Sequence, residues 1–189
     1  ETVAEVKDVW TFARDTRSLD FVEPQPPPRS PTHAYGLELF VSRRLTERLG
    51  GFLSYTLSRS EIGSTPGQRA RVSPFDRTHV LQVGGAADLG AGFRVSSRFL
   101  TYRGWPDEGL EPNPLDPPTR RLRPFYRLDA RIEKRWQLRK AGYIAAVIEV
   151  LNATASEEVI RRDCLPGEGC RDETIGPITV PSIGVEGAL

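Results

Sequence analysis

Every proline in this chain falls in one of four stretches: Pro24, Pro26, Pro27, Pro28 and Pro31; Pro66 and Pro74; Pro106, Pro112, Pro114, Pro117, Pro118 and Pro124; and Pro166, Pro177 and Pro181. The blocks between them, 32–65, 75–105 and 125–165, contain none. Proline has no N–H to give to a sheet ladder, so the segregation separates paired structure from long connections. Each proline-free block divides again at a short turn rich in Gly or charge, near Arg44–Gly50, Leu89–Gly92 and Gln137–Gly142.

Within the blocks the apolar residues recur with period two, which specifies strands and not helices. Leu53, Tyr55 and Leu57 alternate with Ser54, Thr56 and Ser58; Phe93, Val95 and Phe99 alternate with Arg94, Ser96 and Arg98. Over 125–136 the even positions are Tyr126, Leu128, Ala130, Ile132, Lys134 and Trp136, and the odd ones include Arg127, Asp129, Arg131, Glu133 and Arg135. A helix over that segment would scatter charge around its whole circumference.

The pattern predicts about eight antiparallel strands, near 3–14, 33–43, 50–60, 77–89, 92–103, 124–136, 142–152 and 179–188. In the first, Val6–Trp10 fits neither face. The connections alternate between long (15–32, 61–76, 104–123, 153–178) and short (44–49, 90–91, 137–141). Transmembrane β-barrels have that order, with short turns at one end and long loops at the other. Tyr126 and Trp136 share a face ten residues apart, about 33 Å along a strand. Tilted by ~40°, that is roughly 25 Å along the membrane normal, the height of the apolar band between aromatic girdles. Lys134 stands one same-face step from Trp136, within reach of headgroups. The competing fold is a soluble antiparallel sheet with one wet face, which shows the same alternation.

Composition removes other classes. Lys+Arg 26 against Asp+Glu 25 gives a net charge of +1, which argues against a nucleic-acid partner. The longest nearly apolar run, Tyr143–Leu151, is interrupted by Glu149 and is too short for a membrane helix. The 189 residues read as a single β-barrel segment, and a chain without Met that opens at Glu1 reads as a processed protein or a piece of a longer one.

Several runs resemble, in order, the late barrel strands of TonB-dependent outer-membrane receptors. They are Tyr35-Gly36-Leu37-Glu38-Leu39, Leu53–Ser58, Pro74-Phe75-Asp76-Arg77-Thr78-His79-Val80-Leu81, Tyr102-Arg103-Gly104-Trp105-Pro106, Arg127–Ile132, Glu149-Val150-Leu151-Asn152 and Pro181–Val185. The resemblance implies the C-terminal part of a barrel of about twenty-two strands in the bacterial outer membrane of a Gram-negative cell. It implies uptake of a scarce ligand such as a siderophore. Its partners would be outer-membrane lipid, the remaining barrel strands and plug, and the TonB complex through an N-terminal part that has no counterpart here. It implies no enzyme activity and no cofactor. The family usually ends on an aromatic residue, whereas this chain ends Gly187-Ala188-Leu189. Two other readings stand beside it: a complete eight-stranded outer-membrane barrel with a structural, adhesive or anchoring role, and an outer-membrane hydrolase.

Candidate contact residues follow from the charged face and the loop mouths. Arg94, Arg98, Arg127 and Arg131 would line a path for an anionic ligand, or pair with Asp129, Glu133, Glu149 and Glu38 as a self-neutralising wall, together with Arg135. Tyr102, Arg103 and Trp105, at the mouth of the loop 104–123, would contact ligand or join the outer aromatic girdle. Cys164 and Cys170 bracket a five-residue loop and are expected to form a disulfide; no nearby ligands complete a metal site. The hydrolase reading rests on Asp76 and His79 near Ser54, Ser58 and Ser60, without a G-x-S-x-G elbow. Gly84, Gly85, Gly90 and Gly92 form no phosphate-binding pattern and are expected at a tight turn or where bulk is excluded.

Overall fold

The computed structural model describes residues 2–14 (as a strand), 32–44, 48–63, 71–107, 120–138, 142–165, 167 and 169–188. No described residue is helical. The strands are β1 Thr2–Arg14, β2 Thr32–Arg43, β3 Leu49–Ile62, β4 Arg71–Val72, β5 His79–Gly90, β6 Phe93–Tyr102, β7 Phe125–Gln137, β8 Tyr143–Leu151, β9 Glu158–Leu165, β10 Gly169–Ile175 and β11 Val180–Ala188. Eight of them run as a meander in the order β1-β2-β3-β5-β6-β7-β8-β11, with β4 paired to β3. Every pairing is antiparallel. β1 and β11 are the two edges of this sheet and do not pair with each other, so the sheet is open.

The long connection expected over 153–178 contains a hairpin of its own, β9–β10. Its charges hid it. Arg161, Arg162 and Asp163 follow one another and leave no apolar face, so period two is invisible there. The hairpin aligns Arg162 with Asp172 and Cys164 with Cys170 as cross-strand partners. The irregular stretch at Val6–Trp10 also has a structural cause: the β1–β2 register shifts by one residue between Lys7 and Trp10. A bulge changes the face that successive residues occupy and so breaks the alternation.

The β5–β6 turn is set by backbone chemistry. Ala91 and Gly92 have φ of +51° and +79°, the twist-matched geometry of a two-residue hairpin turn. A Cβ on Gly92 would also stand 2.2 Å from the Arg135 carbonyl oxygen. Gly84 serves a different need, since the Phe52 ring lies over it and a Cβ there would come within 2.3 Å of that ring. Gly85, one residue on, faces open space.

Register converts alternation into two unlike surfaces. Leu49, Ala87, Val95, Ile132, Ile148 and Ile183 are successive cross-strand partners across six strands. One residue along, on the other face, the row reads Gly50, Ala86, Ser96, Arg131, Glu149 and Ser182. Burial is inverted between them. Asp129 and Glu133 are 7% and 5% exposed, while Ile132 and Trp136 are 42% and 50% exposed. Ala145 and Val147, on the charged side of β8, are buried as well. Aqueous domains ordinarily do the reverse, because burying apolar area is their main stabilisation and burying charge is costly.

Candidate functional site

The charged face of β5 to β11 is a wall of ion pairs in two groups, one around Asp129 and one around Glu133 and Arg131. Arg98 Nη2 and Arg127 Nε reach Asp129 at 2.7 and 3.0 Å. Arg131 meets Glu133 at 2.9 Å, Glu149 at 3.7 Å and Glu186 at 2.8 Å, thereby crossing β8 to the edge strand. Arg135 lies 2.7 Å from Glu133, and Arg94 bridges Asp88 at 3.4 Å and Glu133 at 3.7 Å. Five arginines thus face five carboxylates, and the wall carries no net charge. Arg127 Nε and Arg135 Nε touch their acids off the hydrogen-bond direction, while Arg127 Nη2 donates to Asp129 at 3.1 Å. Arg98 is the most open of the five, its side chain 46% exposed.

The expected partners need one correction. Glu38 sits on β2 opposite Thr56, three strands from Arg94 and Arg98 on β6. Asp88 and Glu186 take part instead. Parity alone places a residue on a face; the partner follows from register, which the sequence did not reveal.

At the long-loop end a second polar cluster ties the loop bases together. Asp76 is fully buried, accepting from Thr78 Oγ1 at 2.7 Å and from the Ser60 amide at 2.9 Å, and it pairs with Arg121. Arg121 also donates to the carbonyls of Asp76 at 2.7 Å and Gly104 at 3.2 Å. Burial alone would raise the Asp76 pKa. The hydrogen bonds from Thr78, Arg121 and Ser60, with the Arg121 charge, outweigh it and hold the carboxyl below its ordinary value. Asn152 does comparable work at the end of β8. Its amide donates to Asp129 at 2.9 Å, and its side chain bonds the Ser156 backbone and the Ile178 carbonyl. The sequence pattern placed Asn152 as a plain strand end. Its φ of +52° marks a turn instead, and Asn tolerates that region better than most residues.

Tyr102 and Trp105 come together around Arg77, whose guanidinium carbon lies 3.8 Å from the centre of each ring. Arg77 also donates to Glu158 on β9 at 3.0 Å, so three loop segments share one cation. Phe75 meets Trp105 edge-on at 6.3 Å, and Tyr102 stacks on Phe125 at 5.0 Å. Between these residues and β9 lies a cleft of about 1040 Å³, walled by Phe75, Trp105, Leu122, Ile160 and Leu165. Arg103, the residue after Tyr102, is exposed. Cys164 and Cys170 are joined as a disulfide across the β9–β10 hairpin.

The hydrolytic arrangement is not assembled. His79 Nδ1 hydrogen-bonds Tyr55 Oη at 2.8 Å, and the Asp76 oxygens are taken by Thr78, Arg121 and Ser60. Ser54 and Ser58 alternate with Leu57, the residue opposite His79, and so lie on the other face of the sheet. Lys134 donates to the Ala91 carbonyl in the β5–β6 turn and covers the Phe93 ring at 4.1 Å. Among the described residues no cluster of His, Cys, Asp and Glu could hold a metal ion. No family model, curated protein or solved structure matches the chain.

Proposed function

We propose that this sheet is wall from a β-barrel of the bacterial outer membrane, within a transport receptor of the TonB-dependent kind that takes up a scarce ligand. The observation that carries this reading is the inverted burial. A surface with Ile132, Ile148 and Trp136 outward and Asp129 and Glu133 packed beneath arginines is unfavourable in water. It becomes favourable when hydrocarbon covers the apolar side and a hydrated interior covers the other. A soluble sheet would turn Ile132 and Trp136 toward a second layer. The open edges at β1 and β11 favour a wall continued by further strands over a closed eight-stranded barrel, since barrels tolerate no free edge in lipid. In such a wall Arg98, the most exposed of the five arginines, is the side chain best placed to meet an anionic solute.

Two measurements test this. In vesicles of brominated phosphatidylcholine, fluorescence of Trp136 is expected to be quenched, identified as the part of the signal lost in Trp136→Phe. Unquenched Trp136 rejects the membrane wall. Cells lacking the gene that encodes these residues are expected to lose energy-dependent uptake of one member of a panel of ferric siderophores, corrinoids and oligosaccharides. Undiminished uptake of all of them rejects the receptor role and leaves the wall standing.

A further inference from the structure

We infer that Arg103 and His79 form a binding site for the phosphate of an anionic lipid, on the outer border of the apolar face; this rests on the membrane-wall reading above. The alternation of β6 puts Phe99 and Thr101 on the apolar side, and Arg103 follows them by parity. Arg103 is exposed, and its amide donates to the His79 carbonyl at 3.0 Å. The β5–β6 register pairs Val80 with Tyr102, which sets Arg103 directly opposite His79. Residues so opposed have Cβ atoms about 5 Å apart, so one phosphate can reach both side chains.

The charges around them single this pair out. The five arginines of the charged face are all matched to carboxylates. Arg59, the nearest cation on the apolar side of β3, is held by Glu61 at 3.0 Å. Among the described residues no carboxylate pairs with Arg103. His79 is oriented by its 2.8 Å hydrogen bond with Tyr55 Oη. In the tautomer with the ring proton on Nε2, Tyr55 donates to Nδ1 and Nε2 is left as a donor for a ligand. The site is cationic, half pre-oriented and unfilled by any acid of the described chain.

What lies beside it selects the occupant. The next positions on the same face are Leu57, opposite His79, then Leu81 and Tyr126 flanking Thr101. Leu57 and Tyr126 are exposed. A headgroup phosphate at Arg103 would therefore continue into acyl chains lying along Leu57, Leu81 and Leu128. A free phosphate or a soluble acidic peptide gains nothing from that apolar surface. A guanidinium also suits phosphate better than a point charge, because it presents two parallel donors.

The chain is solubilised in a neutral detergent, titrated with dimyristoyl phosphatidic acid or dimyristoyl phosphatidylcholine, and bound lipid is counted by native mass spectrometry. The phosphatidic acid is expected to be retained preferentially, and Arg103→Gln to weaken its retention about tenfold, the loss of one charge-assisted contact. His79→Gln is expected to weaken it about threefold. Arg171→Gln, which removes the same charge from the exposed β10, is expected to leave retention unchanged and shows that the substitution itself is harmless. Equal retention of the two lipids, an unaffected Arg103→Gln protein, or displacement by excess inorganic phosphate overturns the inference and leaves the wall intact. A chain that takes up neither lipid and remains soluble without detergent overturns both.

Discussion

Strands β7 and β9 are both rich in arginine and acid and use them in opposite ways. In β7 all the charges but Lys134 are spaced by two, so Arg127, Asp129, Arg131, Glu133 and Arg135 share one face and Tyr126, Ile132 and Trp136 the other. In β9 Arg161, Arg162 and Asp163 are consecutive, so both faces are charged. Spacing alone decides the outcome. β7 buries its acids at 5–7% exposure and bares its hydrophobics. The Arg161–Asp163 pair of β9 keeps its side chains 68% and 52% exposed. A strand of the second kind puts charge on both sides, whereas one of the first kind presents two unlike surfaces.

The loop end supplies the point of reference, because its stabilisation does not depend on what covers the sheet. Removing Asp76 leaves Arg121 without its acid in a buried setting, so Asp76→Ala is expected to cost about 3–5 kcal/mol. Hydrogen exchange is the readout, with protection lost at Ser60 and around residues 103–105. An unaltered exchange pattern would show that the clamp does not hold the loops.

The comparison itself is tested by matched substitutions. Ile148 on β8 and Ile175 on β10 are equally exposed, at 52% and 51%. In phosphatidylcholine vesicles, Ile148→Arg is expected to cost about 2–4 kcal/mol by urea unfolding, and Ile175→Arg no more than about 0.5 kcal/mol. Equal costs would break the distinction between the two surfaces. A second pair sharpens it. Glu133 serves three arginines in a buried site, so Glu133→Gln is expected to cost about 1–3 kcal/mol, while Asp163→Asn in the exposed pair costs at most about 0.5 kcal/mol.

Acid titration separates the same regions more gently. The carboxyl of Asp76 is held below its ordinary value, so its contribution is fully present above that value. It is lost as the pH falls through the lowered one. The Ser60 amide, which donates to Asp76, is expected to stay protected at the pH where an exposed aspartate is half protonated and to exchange faster only below it. Loss of protection at higher pH would contradict the assigned hydrogen bonds. The smallest effect is expected from Cys164→Ser with Cys170→Ser. Exchange should quicken across β9–β10 and not in β7 or β8, since the disulfide closes only that hairpin.

The sequence disclosed the sheet wherever one face is apolar. The strands at 125–136 and 142–152 were legible for that reason. The β9–β10 hairpin was not, because charge on both faces erases the period. The one-residue shift in β1 surfaced as an alternation fault, without disclosing its nature. In the charged wall, the arginines were legible from parity. Glu186 as a partner of Arg131 was not, since β8 lies between their strands and only register brings them to 2.8 Å. Asp76 and Asn152 were missed as anchors because their work is done on backbone groups distant in sequence, and single side-chain types give no hint of that. A buried aspartate followed two residues later by Thr78, with Arg121 far along the chain, becomes a clamp only once the loops are folded.

Nitroxide labels placed singly along 126–136, with the chain in phosphatidylcholine vesicles, report the medium that each side of β7 meets. Positions 126, 128, 130, 132 and 136 are expected to collide with oxygen dissolved in the bilayer, and positions 127, 129, 131, 133 and 135 with a water-soluble nickel chelate, in strict alternation. Even-numbered positions shielded from both probes, with the odd ones open to the chelate, would mean that the apolar side packs against protein and would contradict the account.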